Sequence, residues 1–139
     1  MSNRMELRFD ALAENEAFSR MVISAFLVQV NPTMSVVSEV RTAVSEAVTN
    51  AIVHGYAKAT GTVVLRASIE GEQAVIEVED YGCGMEDVQK AMQPFYTSHP
   101  EQERTGIGFS LMQSFMDGVS VTSSPGNGTL VRMTKRLEV

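Results

Sequence analysis

The chain has 139 residues, of which 44% are hydrophobic and 20% are charged, and its formal net charge is −6. This length predicts a single domain, residues 1–139, with one hydrophobic core. The negative charge argues against direct binding to nucleic acid or to an anionic membrane. A single cysteine and two histidines exclude a disulfide framework and a Cys/His zinc site. We expect a cytoplasmic protein without a signal peptide or membrane span, because no apolar run approaches about 20 residues and cysteine is sparse.

The first part of the chain is predicted to form a strand followed by two helices. Residues 5–11 alternate between apolar and polar side chains, which is typical of a strand. Residues 14–30 place apolar side chains at every fourth position along one helical stripe. The second helix is capped by Thr33 or Ser35 and runs to His54.

The rest of the chain alternates strands with short helices. The predicted elements are, in order, strands at 62–70 and 73–80, a short helix at 86–92, a helix at 106–116, and strands at 119–123 and 129–137. The polar, irregular segment between the two helices, residues 93–105, is long for a connection and is interpreted as a lid. The order predicts an α+β two-layer sandwich, with a mostly antiparallel mixed sheet and helices on one face.

Two polar residues stand out on the second predicted helix. Glu46 and Asn50 are four residues apart, so their side chains project from nearly the same face, about 40° apart. A glutamate beside an asparagine offers a proton acceptor next to a neutral oxygen ligand for a hard cation. From this pair alone, an ordinary solvated helix face is the favoured interpretation.

Asp80 interrupts the apolar face of a predicted strand. Ile76 and Val78 share one face, and Asp80 is the next residue on that face. Burying a carboxylate without a partner is unfavourable, so we expect a hydrogen-bond donor to meet it there. The alternative is that the strand ends before this residue and Asp80 begins a turn.

Three Gly-x-Gly pairs follow or precede regular elements, at residues 82–84, 106–108 and 126–128. Glycine allows the backbone to approach a ligand closely and to adopt positive φ angles. The middle pair opens a helix, where free backbone amides form an anion site. There is no Gly-Lys dipeptide, so a Walker A phosphate loop is excluded.

Together these motifs resemble the GHKL ATPase superfamily. The motifs are Glu46-x-x-x-Asn50-x-x-x-His54 for the N box, then Asp80-x-Gly82-x-Gly84, Arg104-Thr105-Gly106-Ile107-Gly108-Phe109 and Gly126-Asn127-Gly128-Thr129 for three glycine boxes. Within that superfamily the chain is similar over nearly its full length to the serine-kinase anti-sigma factors, and above all to their sporulation branch. The supporting stretches are residues 44–52, 54–56 and 94–97.

The resemblance implies a site for ATP or ADP with Mg²⁺, in the Bergerat form of the fold. Asp80 would accept a hydrogen bond from the adenine amino group, with Thr129 supporting the pocket from the last strand. Asn50 would hold Mg²⁺, and Glu46 would be the catalytic general base. The remaining nucleotide-binding residues implied by the motifs are His54, Gly82, Gly84, Thr97, Arg104, Thr105, Gly106, Ile107, Gly108 and Phe109.

The resemblance also implies the partners. The family sequesters a sigma factor, phosphorylates a serine of an anti-anti-sigma protein, and forms a homodimer through the first strand and helix. Arg20 and Arg104 are the expected partner contacts, although a solvated arginine is equally open for Arg20. Because both partners use one dimer, occupancy by ATP or ADP could decide which is held.

Other functions stay open at this stage. The chain could be a general-stress anti-sigma kinase of the same family. It could be a nucleotide-gated binding module without kinase chemistry, or a free-standing ATPase that uses water as its nucleophile.

Overall fold

The computed structural model describes residues 1–56, 61–92 and 108–138. Its strands are β1 (Ser2–Asp10), β2 (Thr62–Glu70), β3 (Gln73–Asp80), β4 (Gly118–Ser123) and β5 (Thr129–Arg136). Its helices are α1 (Ala13–Val28), α2 (Met34–Asn50), the short α3 (Val88–Ala91) and α4 (Gly108–Phe115), with a π-helical turn at Ala51–Gly55. The segment interpreted as a lid, residues 93–105, lies outside the described residues.

The five strands form one sheet in the order β1-β2-β3-β5-β4. All four neighbouring pairs within the described residues are antiparallel. The prediction of an α+β sandwich with a mostly antiparallel sheet is therefore confirmed, but the parallel pair implied by the word "mixed" is not among these strands. The reason is topological: β5 turns back from β4 and inserts between β4 and β3, which keeps every neighbour antiparallel.

Helix α2 is the central helix of the layer that covers the sheet, and it packs against both α1 and α4. Thr33 is its cap, because the Thr33 hydroxyl accepts a hydrogen bond from the Val36 amide at 3.2 Å. The apolar stripe of α2 is buried, which explains why the helix forms where the periodicity predicts it. The buried residues of α2 are Val36, Val37, Val40, Ala43, Val44, Ala47 and Val48.

The predicted end of the second helix is different in the structure. The α-helical part stops at Asn50, and the chain continues to Gly55 as a π-helical turn. A π-helical turn adds a residue per turn and changes the direction in which the following side chains project. The N box therefore crosses from one helical geometry to another between Asn50 and His54.

The hydrophobic core lies between the helical layer and one face of the sheet. Its largest fully buried side chains include Ile23 and Leu27 of α1, Leu65 of β2, Met112 of α4 and Met133 of β5. Each element of the two layers except α3 and β4 contributes buried apolar side chains, and Val119 and Val121 of β4 are partly buried against the core. Within the described part of the chain, no helix is both long enough and apolar enough to cross a membrane.

Candidate functional site

A row of polar residues ends the apolar face of the sheet. Asp80 on β3 is directly opposite Thr129 on β5, and Thr129 is directly opposite Ser123 on β4. Directly opposed residues point to the same side of an antiparallel sheet. The neighbouring rows toward the core are apolar: Val78, Val131 and Val121, then Ile76, Met133 and Val119. The polar row therefore lies at the edge of the hydrophobic core, next to the candidate site.

Asp80 is buried and hydrogen-bonded, as the sequence predicts. Only 5% of its surface is exposed, and its Oδ1 accepts a hydrogen bond from the Gly82 amide at 2.9 Å. Burial raises the pKa of Asp80 to about 6, while hydrogen bonds from the backbone of Gly82 and Thr129 oppose that rise. Because burying a carboxylate is unfavourable unless hydrogen bonds compensate, a further donor from a ligand would stabilise Asp80.

The π-helical turn brings Gly55 directly onto Asp80. A Cβ atom at Gly55 would lie only 2.8 Å from the Asp80 Cγ, so a larger residue would displace the carboxylate. The Gly55 carbonyl accepts a hydrogen bond from the Cys83 amide at 2.7 Å, and it also lies against Gly82. The end of the N box and the first glycine box are therefore joined through backbone contacts at this carboxylate.

The third glycine turn packs against the backbone of Asp80. Gly128 has a φ of +73°, and a Cβ there would overlap the Asp80 carbonyl oxygen. The Gly126 amide donates a hydrogen bond to the Cys83 carbonyl at 2.7 Å. Gly84, with a φ of +72°, approaches the Ser124 carbonyl too closely for any side chain. Close backbone approach together with a positive φ angle thus explains Gly84 and Gly128.

The second glycine box meets the N box at the start of α4. A Cβ at Gly108 would lie 3.1 Å from Glu46 Oε2 and 3.3 Å from Asn50 Nδ2. The glutamate–asparagine pair of α2 therefore faces the first residue of α4 instead of solvent, which decides against the solvated-face interpretation. A helix N-terminus carries a partial positive charge, so this contact places a base, an amide oxygen and an anion-binding end side by side.

The chain matches the model of the histidine kinase-like ATPase domain family over residues 9–135. It is 52% identical to an anti-sigma F factor from Thermoanaerobacter sp. (strain X514), covering 96% of this chain and 94% of that protein. It is 46% identical to the anti-sigma F factor of Bacillus subtilis (strain 168), covering 99% of this chain and 94% of that protein. The chain belongs to the anti-sigma F factor family. Its ATPase domain is of the GHKL type predicted from the motifs.

Two solved structures share the fold of this anti-sigma F factor family member. The RsbU and RsbW domains of a Mycobacterium tuberculosis protein superpose with a TM-score of 0.71 at 20% identity, over 97% of this chain and 32% of that chain. The catalytic domain of the histidine kinase ThkA gives a TM-score of 0.58 at 12% identity, over 96% of this chain and 97% of that chain. At these identities the likeness supports the fold alone.

The structure places some of the predicted family site residues together and does not describe others. Glu46, Asn50 and Gly108 meet at one end, and Asp80 meets Thr129, Gly82 and the Gly128 turn at the other. The Phe109 side chain is buried in the core, where it anchors the start of α4. His54 lies on the π-helical turn, and its carbonyl faces the Cys83 thiol at 3.1 Å. Thr97, Arg104, Thr105, Gly106 and Ile107 lie outside the described residues.

Tyr56 is a residue of the site that the sequence did not single out for a role. Its hydroxyl donates a hydrogen bond to the Thr62 carbonyl at 2.6 Å and accepts one from the Tyr81 amide at 2.7 Å. It therefore links the start of β2 to the residue that follows β3. Burial raises the pKa of Tyr56 above its ordinary value. The signal in the sequence is its place in the stretch 54–56, which supports the family resemblance.

Arg20 is linked to the helix that carries Glu46. Its Nε forms an ion pair with Glu16 Oε2 at 2.8 Å, and that same oxygen accepts a hydrogen bond from the Ser45 hydroxyl at 3.0 Å. Arg20 itself is exposed at the surface of α1, so it is held in place and accessible at the same time.

Proposed function

We propose that this chain sequesters a sporulation sigma factor and, using Mg-ATP, phosphorylates a serine of its anti-anti-sigma partner. The observation that carries the proposal is the contact of Gly108 with both Glu46 and Asn50. A proton acceptor, a metal-binding amide and the start of an anion-binding helix are the groups that phosphoryl transfer to a hydroxyl needs. In this proposal residues 1–139 act as one domain in the cytoplasm, where a sigma factor works.

The polar row provides the adenine end of the proposed site. Asp80 is buried, directly opposite Thr129, and enclosed by the glycines of the π-helical turn and the third glycine turn. An ionised carboxylate accepts a hydrogen bond from the adenine amino group but not from the oxo group of guanine. The buried position makes this choice stronger, since an unpaired polar contact there is unfavourable.

Asn50 and Glu46 provide the reacting end. The described residues contain no group of three histidine, cysteine, aspartate or glutamate side chains that could hold a metal ion. Mg²⁺ prefers oxygen ligands and usually keeps several waters beside the substrate phosphates. Asn50 would supply the protein oxygen, and the bound ion would offset the negative charge of the phosphates.

Glu46 is the proposed general base. It takes the proton of the attacking serine hydroxyl while the serine oxygen bonds to the γ-phosphorus and the bond to the β-phosphate oxygen breaks. The products are phosphoserine on the partner and ADP. The backbone at Gly108 cradles the phosphates because it has no side chain between them and Glu46.

The partner surface is proposed on α1 and the first strand. Phe18, Met21 and Val28 are exposed on α1, and β1 is an edge strand of the sheet. Exposed apolar residues on a helix and an edge strand of the described sheet are both typical of an interface, here the homodimer. Arg20, held by Glu16, is the proposed contact for the sigma factor or the substrate protein.

The direct test is transfer of label from [γ-³²P]ATP to the anti-anti-sigma protein, together with retention of the sigma factor in the presence of ATP and ADP. Phosphoserine on the partner and nucleotide-dependent retention of the sigma factor are the expected results. Retention without any phosphoserine would instead favour a nucleotide-gated binding module. Label released only as inorganic phosphate would favour the free-standing ATPase.

A further inference from the structure

Ser123 at the end of β4 connects three parts of the site. Its Oγ accepts a hydrogen bond from the Met85 amide at 2.9 Å, just after the first glycine box. Its hydroxyl donates to the Gly128 carbonyl at 2.7 Å, in the third glycine turn. The same oxygen lies 2.9 Å from the Thr129 Oγ1. None of the four sequence motifs contains this serine.

The direction of the bond between Ser123 and Thr129 follows from counting protons. A serine hydroxyl carries one proton, and a carbonyl oxygen can only accept. At 2.7 Å the Gly128 carbonyl requires that proton, because otherwise two oxygen atoms would face each other through their lone pairs. Ser123 therefore has no proton left for Thr129, and Thr129 must donate its own proton to Ser123.

Thr129 is then left with lone pairs only. It lies directly opposite Asp80, whose carboxylate is also an acceptor, and both residues are buried. The two groups that line this end of the sheet thus both accept hydrogen bonds. An amino group can satisfy them, whereas an oxo group would meet oxygen lone pairs.

We propose that Ser123 is a positioning residue that fixes the Thr129 hydroxyl as an acceptor, and that it thereby contributes to the selection of 6-amino over 6-oxo purines. The proposal rests on the proposed function, namely that this site binds ATP. Ser123 acts through Thr129 and does not itself touch the purine. Without Ser123, the Thr129 hydroxyl would be free to rotate and to donate its proton to an oxo group.

The test compares the dissociation constants of ATP and ITP, measured by isothermal titration calorimetry on the full chain. The wild type should prefer ATP, and Ser123→Ala should reduce the ITP-to-ATP ratio of dissociation constants by about 3–10-fold. A purely structural loss weakens both nucleotides alike and cancels in the ratio. Ser123→Thr keeps the hydroxyl and should restore the wild-type ratio.

Ser124→Ala is the matched control. The Ser124 hydroxyl accepts a hydrogen bond from the Asn127 side chain at 2.8 Å in the same turn, so its loss perturbs the turn without changing the Thr129 proton. The ratio should remain at the wild-type value. If Ser123→Ala does not fold, Ser123→Cys replaces it, because sulfur is a weaker acceptor for the Thr129 proton and should shift the ratio in the same direction.

The decisive comparison uses Thr129→Val, which keeps the shape of the side chain without the hydroxyl. In that background Ser123→Ala should no longer change the ratio. An unchanged ratio in Ser123→Ala with ATP still bound would overturn the role of Ser123, as would an equal change in the Thr129→Val background. Failure of the wild type to bind either nucleotide would overturn the proposed function instead.

Discussion

Gly108 and Glu46, far apart in the sequence, are in contact: a Cβ on Gly108 would lie 3.1 Å from Glu46 Oε2. This spacing is tighter than ordinary van der Waals contact, so any side chain at residue 108 must push the carboxylate aside. Gly108 has no positive φ angle, so its backbone conformation does not require glycine. The nearby Glu46 carboxylate requires it instead. The contact thus couples the second glycine box to the proposed chemistry.

Gly108→Ala should lower phosphotransfer by about 10–100-fold while leaving folding nearly unchanged. Alanine lowers the conformational entropy of the unfolded chain relative to glycine by about 0.4–1 kcal/mol, which offsets the local crowding. A small displacement of a catalytic group is enough to reduce the rate strongly. Single-turnover transfer of label to the partner serine measures the rate, and thermal unfolding measures stability. Ser114→Ala, at an exposed position of the same helix, is the control and should transfer label normally. Normal transfer by Gly108→Ala would show that residue 108 does not affect phosphotransfer.

Glu46→Gln should keep ATP binding but lower phosphotransfer by about 10²–10⁴-fold, because glutamine cannot take the proton of the serine hydroxyl. The measurement is the rate of phosphoserine formation at saturating Mg-ATP. Glu39→Gln is a charge-matched control on the same helix, where the carboxylate forms only an ion pair with Lys135 at 3.2 Å. Equal rates for wild type and Glu46→Gln would remove Glu46 from the role of base.

Asp80→Asn should weaken ATP binding by about 1–3 kcal/mol. Either carboxylate oxygen can accept a hydrogen bond from the adenine amino group, whereas the asparagine side chain carries one acceptor and one donor group. The affinity of the wild type for ATP should also fall as the pH is lowered through about 6, where the Asp80 carboxylate takes up a proton. Calorimetric titrations between pH 5 and pH 8 measure both effects. Asp80→Asn should lose the part of the pH dependence that belongs to Asp80; an identical pH profile in both proteins would contradict the adenine assignment.

The same burial makes a separate prediction about stability. Since the pKa of Asp80 is raised to about 6, the folded state holds its proton more tightly than the unfolded state. The free energy of unfolding should therefore decrease as the pH rises from about 4 to 6, by up to about 3 kcal/mol from this group, and then level off. Asp80→Asn should remove that decrease and be more stable than the wild type at pH 8. Urea unfolding at pH 5 and pH 8 checks this, and an equal pH response in the variant would show that other groups cause it.

Glu16→Gln should weaken partner binding while leaving ATP affinity unchanged. The Glu16 carboxylate holds Arg20 through an ion pair and Ser45 through a hydrogen bond, so neutralising it lets the arginine move. The exposed pair itself contributes only about 0–1 kcal/mol to stability, so the fold should be intact. Retention of the sigma factor in a pull-down measures the effect. Glu14→Gln, on the exposed first turn of α1, is the control; full retention by Glu16→Gln would indicate that Arg20 binds the partner without this support.

The local patterns in the sequence predict much of this fold because they are set by neighbouring residues. Strands 62–70 and 73–80 have the predicted bounds, since alternation and a two-residue turn fix a hairpin locally. Asp80 could be recognised because a carboxylate breaks an apolar alternation. The first strand begins earlier than predicted, at Ser2, because it pairs along the whole of β2 and gains backbone hydrogen bonds there.

Other features depend on contacts between distant residues and leave no local pattern. The π-helical turn after Asn50 arises where Gly55 must reach Asp80, and the fourfold periodicity of α2 gives no sign of it. The insertion of β5 between β3 and β4 follows from sheet pairing, which is not encoded in either strand alone. Ser123 and Tyr56 are ordinary residues in the sequence, and only their partners across the sheet give them a role.

Gly128→Ala should destabilise the fold by several kcal/mol for two reasons, namely its positive φ angle and its close approach to Asp80. Gly126→Ala measures the first reason alone. Both glycines belong to the same turn and have positive φ angles, +73° and +80°. A Cβ at Gly126 meets nothing within 4 Å, so its substitution should cost only the left-handed backbone term, about 1–2 kcal/mol. A Cβ at Gly128 would also overlap the Asp80 carbonyl oxygen, which is part of the β3–β5 pairing and cannot move freely. Urea unfolding of both variants gives the difference; equal destabilisation would mean that the backbone angle alone requires glycine at residue 128, and that β3 yields to the added methyl group.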